Sequence, residues 1–253
     1  MMLTLILIAI GALLFLIIIY NILQQYLQKQ EAEKRTQLLR HKNIINETDE
    51  LLLNASQLPF SKALVVSLYS RILHSLKAMQ QQDPNNEQIK TRLVNIQQQI
   101  QHVKDNYTLD QPGLKPPESD QQALHMLQVV KRLRTVLRIE HNKGKLGNQT
   151  FVQEDRRLEL IRLKINLVNL AKRARTAIGN KDVNTAQQLL KKGLSVLDKI
   201  PDKDDQLKGI ESNLQQRLSD LTSTQKKELQ EQQARAEEEK SELDLLFEPK
   251  RKW

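Results

Sequence analysis

The sequence predicts an all-α chain: an N-terminal single transmembrane helix followed by helical hairpins or a bundle with coiled-coil-like segments. Three observations predict it: an uncharged apolar run over residues 1–23, a shortage of turn-formers, and apolar residues recurring at spacings of three and four. The 253 residues include only seven Gly and seven Pro, and aromatics make up 4%. Leu, Lys, Gln and Glu are abundant, which favours helix over sheet. Glycine-rich turns and aromatic-lined pockets, the usual materials of small-molecule sites, are scarce. There is no cysteine, which excludes disulfides, thiolate catalysis and cysteine-held metal clusters.

The first element is the apolar run ending at Tyr20 and Asn21. About 20 apolar residues cross a hydrocarbon core as a helix, and this run meets that length. A cleaved signal peptide would want a basic start, a shorter apolar stretch and a small-residue cleavage site, none of which fits here. No Lys or Arg precedes the run, whereas Lys29, Lys34, Arg35, Arg40 and Lys42 follow it. The positive-inside rule therefore places the bulk of the chain in the cytoplasm, with a bacterial inner membrane as the expected location. Asn46, Asn54, Asn106 and Asn148, each in an Asn-x-Ser/Thr triplet, would then meet no glycosylation enzyme.

Residues 24–106 read as a juxtamembrane helical, coiled-coil-like module. Leu38, Ile45 and Leu52 recur every seven residues, and Pro59 interrupts. Helix resumes from Ser61 with Leu64, Leu68, Ile72 and Leu76 on one face, and stops near Asp83-Pro84. Ile89, Leu93, Ile96, Ile100 and Val103 then form a narrow seam that needs a partner helix in this chain or another. The stretch 107–119 carries three of the seven prolines and reads as a linker.

Residues 120–222 read as a basic helical bundle. Ala123, Met126, Val130, Leu133 and Leu137 form the inner seam of its first helix. Lys143–Gly147 is a turn, and Thr150 with Gln153 reads as the capping box of a long helix. That helix carries two apolar lines, Leu160, Leu163, Leu167, Leu170, Ala174 and Leu158, Ile161, Ile165, Val168, suiting the centre of a bundle. A shorter helix follows from Val183, with Ala186, Leu189, Leu190, Leu194 and Leu197 inward. The Ala177–Pro201 stretch resembles one helix-turn-helix unit of a tetratricopeptide-like array, without its 34-residue period. The last helix uses Ile210, Leu214, Leu218 and Leu221, and residues 223–253 form a charged helix and a C-terminal docking tail.

Charge is uneven. Residues 120–200 hold 17 basic and 7 acidic side chains, out of a net +9 for the chain. Lys131, Arg134 and Arg138 align on one helix face, and Lys172, Arg173 and Arg175 cluster on the next. Such faces suit a polyanion, either nucleic acid or the anionic inner leaflet, although no aromatic residues interleave for stacking.

The tail holds Leu243, Leu245, Leu246, Phe247 and Trp253 beyond a polar helix, and exposed apolar clusters on tails suit docking. The hexamer Glu242-Leu-Asp-Leu-Leu-Phe247 resembles the short peptides by which bacterial repair and replication proteins dock on the sliding clamp. It departs from them at its first position, where those peptides favour Gln. The histidines form no metal-ligand spacing, and no P-loop, dinucleotide fingerprint or nucleophile elbow occurs.

No enzyme activity, cofactor or metal is therefore expected. The expected function is a membrane-anchored, cytoplasm-facing helical adaptor or scaffold. It would bind the lipid bilayer and a protein partner not identified by the sequence, partly through its C-terminal peptide. The alternative is a membrane-tethered nucleic-acid-binding protein linked to DNA replication or repair. A homo-oligomer zipped through the Ile89–Val103 seam is a third possibility.

Overall fold

The structure is a computed structural model that describes the backbone of residues 2–107 and 114–247. Side chains before Leu13 and after Glu237, with Leu14 and Ala236, lie outside the described residues. Seven α-helices and no strand occur among the described residues: α1 (Met2–Leu53), α2 (Lys62–Gln82), α3 (Glu87–Asn106), α4 (Asp120–Asn142), α5 (Asn148–Gly179), α6 (Val183–Leu197) and α7 (Asp205–Phe247). A short 3-10 turn, Asn54–Ser56, ends α1.

Local chemistry explains most helix ends. Ser61 Oγ accepts from the Leu64 backbone N–H at 2.9 Å and opens α2. Asn86 Oδ1 accepts from Gln88 and Ile89 at the start of α3. Ser119, Asp182 and Asp204 do the same for α4, α6 and α7. Each such cap supplies an acceptor to a first-turn N–H that has no partner within the helix. In the α4–α5 turn Gly144 adopts φ 69°, a left-handed conformation that glycine enters without strain.

The start of α5 differs from the sequence expectation. The helix begins at Asn148, and Phe151 N–H already bonds the Gly147 carbonyl at 2.9 Å. Thr150 therefore lies inside the first turn, where it cannot cap.

The chain divides into two compact units: residues 1–115 with 131–158, and residues 116–130 with 159–253. One boundary falls in the proline-rich stretch, and the other two fall inside α4 and α5.

In the first unit α2 packs against both α1 and α3. Ile45, Ile72, Leu76, Ile89, Ile96 and Ile100 form a shared core, with Leu52 and Leu93 packed against it. The Ile89–Val103 seam thus finds its partner helices in its own chain.

Polar contacts bind 131–158 to the rest of this unit. Arg132 forms a bidentate pair with Glu50 at 2.7 and 3.0 Å, and Arg157 donates to the Pro59 carbonyl at 2.8 Å. Deepest is Arg71, only 6% exposed, between Glu47 Oε2 at 3.1 Å and the buried Glu140 at 3.5 Å. Lys143 adds a second cation 3.4 Å from Glu140.

The second unit is built on small residues and leucine. Ala174, Ala186, Leu190, Leu197, Leu207 and Leu214 are fully buried in one cluster. Gly193 is buried where α6 meets its neighbours. A Cβ there would stand 3.0 Å from Leu214 and 3.1 Å from Leu170, so glycine permits the close approach. Beyond Leu221 the described residues of α7 are almost all exposed. That matches the polar composition of the segment.

Two outcomes test this account. Arg71→Met should lower stability by up to about 3–5 kcal/mol, because it leaves the buried Glu140 with Lys143 alone, and adding Glu140→Leu should recover part of the loss. Gly193→Leu should cost about 1–3 kcal/mol by overpacking. Denaturant melts followed by far-UV circular dichroism measure both.

Candidate functional site

Three surfaces stand out. On α1 every described side chain from Leu13 to Gln37 is exposed. The apolar ones lie on all sides of the helix, with Phe15 63%, Leu16 66%, Ile18 55% and Leu23 57% exposed. A helix that is apolar all round belongs in a protein core or in lipid. No protein side packs on it among the described residues. The single span expected over residues 1–23 is not shown as such: among the described residues no helix is long and apolar enough to cross a membrane.

The basic faces are partly committed to internal contacts. Arg134 grips Asp155 through Nε and Nη2 at 2.7 and 2.9 Å. That hydrogen bond, more than the neighbouring charges, holds the Asp155 carboxyl below its ordinary range. Lys172 donates to the Glu118 carbonyl. Lys131, Arg138, Arg173 and Arg175 are exposed. Lys131 and Arg138 belong to the first unit and the 172–175 cluster to the second, so each face stands by itself.

The third surface is a groove of about 350 Å³ between α5 and α6 in the second unit. Leu163, Leu170, Gly193 and Val196 line it, and Arg173 and Lys192 stand on its rim. The groove was missed in the sequence, although a lone glycine among inward positions of α6 is the signal that marks close helix approach. Of the tail residues expected to dock, Leu243, Leu245, Leu246 and Phe247 continue α7 as backbone, their side chains lying outside the described residues. Trp253 lies outside them altogether.

Among the described residues no cluster of three His, Cys, Asp or Glu groups could hold a metal ion. His141 stacks on Phe151 with ring centroids 4.4 Å apart, and its Nδ1 lies 3.1 Å from the Leu146 carbonyl. His74 Nδ1 meets the Ser70 carbonyl at 2.6 Å. Both contacts lie within or next to their own helices. His41 Nδ1 is buried without a hydrogen-bond partner. Burial chiefly, then the charges of Arg40, Lys143 and Lys145, push its pKa below the usual value.

No family model, curated protein or solved structure matches this chain.

The His41 environment has a pH consequence. The unfolded chain binds a proton near pH 6.5, whereas the folded chain resists it until lower pH. Stability from this group is complete above about pH 6.5 and is lost as pH falls toward the depressed folded value. Thermal melts between pH 7.5 and 5 should show that decline, and His41→Gln should flatten it.

Proposed function

We propose that this chain is a membrane-anchored, cytoplasm-facing helical adaptor that binds protein partners, in part through the peptide at residues 241–253. The observation that carries the reading is α1 itself. Its exposed apolar collar and its packed Ile45 lie on one unbroken helix. Exposed apolar area of that extent is costly in water, and insertion in lipid removes the cost at about 25 cal/mol per Å². The basic residues that follow the collar favour the cytoplasmic side, and a bacterial inner membrane suits the orientation.

The tail supports the binding half of the reading. Its apolar residues follow a solvated stretch of α7 that offers them no groove of its own. The nucleic-acid reading draws less support, since Arg134 and Lys172 already have partners within the chain.

Alkaline carbonate washing should leave the full chain in the membrane pellet and release a chain lacking residues 1–23. Affinity capture from solubilised membranes should then lose a discrete protein when residues 241–253 are removed. Release of the full chain by carbonate overturns the anchor, and an unchanged captured set overturns the tail's role. Binding that weakens steeply with salt and ignores the tail would instead favour nucleic acid.

A further inference from the structure

We propose that the α5–α6 groove of the second unit is a receptor for the Ser241–Trp253 segment of a second copy of this chain. The inference rests on the reading of that segment as a docking peptide and names its partner. The groove is apolar along Leu163, Leu170 and Val196, and its rim is cationic through Arg173 and Lys192, both exposed. The complement lies in the first part of the segment, where Leu243, Leu245, Leu246 and Phe247 are interleaved with Glu242, Asp244 and Glu248; Lys250, Arg251 and Lys252 follow beyond Pro249 and would lie past the cationic rim. An amphipathic peptide laid in an apolar groove with opposite charge at the edges is a common mode of recognition.

Two further observations support it. Asn169 lines the same groove, and its Oδ1 is buried with no hydrogen-bond partner. A buried acceptor left without a donor is costly, and a turn of the Asn169 side chain toward the groove would let an occupant supply one.

The second observation decides which copy docks. Leu214 reaches the position beside Gly193, so it marks the level of the groove along α7. From there α7 continues as helix to Phe247. At a rise of about 1.5 Å per residue, Leu243 lies roughly 44 Å farther along the helix axis. A chain cannot bring its own tail back to its groove without breaking α7. A second copy can, and the contact is then between unlike surfaces.

The test uses the full chain in mild detergent, lacking only residues 241–253, titrated with a fluorescein-labelled peptide of those residues. Fluorescence anisotropy should show saturable binding. Arg173→Glu with Lys192→Glu should weaken it at least tenfold, as should Leu245→Ala with Phe247→Ala in the peptide. A peptide in which Glu242, Asp244 and Glu248 are Lys should regain affinity for the charge-reversed chain, a rescue that a misfolded variant could not give. Absence of binding, or binding indifferent to the rim reversal, overturns the groove. Mass photometry should show the intact chain associating and the truncated one not; peptide binding with an intact chain that stays monomeric overturns the second-copy assignment. Tail-dependent capture of another protein beside an inert groove would sink this inference while sparing the adaptor reading.

Discussion

The first unit is organised around one buried cation. Arg71 on α2 faces Glu47 on α1 and Glu140 on α4, so a single guanidinium spans three helices. Moving such charges out of water costs several kcal/mol each, and only close geometry offsets the loss. The cluster therefore contributes specificity more than stability. An apolar seam tolerates a helix slipping by a turn, but a buried carboxylate separated from its arginine does not. Arg132 on Glu50 and Arg157 on the Pro59 carbonyl repeat the attachment at the unit's surface. Together they explain why residues 131–158 belong with the first 115.

Much of the local structure was legible beforehand. Leu64, Leu68, Ile72 and Leu76, picked out by spacing, are all buried, as are Ala123, Met126, Val130, Leu133 and Leu137. Ser61 and Asp83 bound α2 as their turn chemistry suggests. Periodicity reports which face of a helix is apolar, but not which helix covers it. The Ile89–Val103 seam shows the limit, since its spacing fits an intermolecular zipper as well as the intramolecular packing observed. Arg134 shows another. In the sequence it aligns with Lys131 and Arg138 as a polyanion face, and Asp155, which claims it, lies across a turn that pattern reading does not cross. Of the candidate sites, the apolar N-terminus and tail were readable as composition. The groove was not, because it arises from the approach of two helices at a glycine.

The two units reach their packing by different means. In the first unit the core shared by α1, α2 and α3 is rich in β-branched isoleucine, and charge is buried beside it. The second uses leucine with Ala and Gly, and small side chains bring helix axes close. Close approach at Gly193 sets α6 directly against Leu170 and Leu214, and the space beside Leu170, Gly193 and Val196 is the groove. The groove is thus a by-product of how the core is filled.

The continuity of α1 has a mechanical consequence. Between the collar and the first buried residue, Ile45, there is neither proline nor glycine, so nothing marks a joint. With its collar in a bilayer, the helix would act as a stiff mast about 21 Å long between Leu23 and Gln37, where the hydrogen bond to Gln82 begins the packing. A change of about ten degrees in its tilt would swing the packed unit by roughly 4 Å, and tilts of that size follow from ordinary differences in bilayer thickness. The height of the cargo above the lipid, and its lateral reach, would then vary with the membrane that holds the mast.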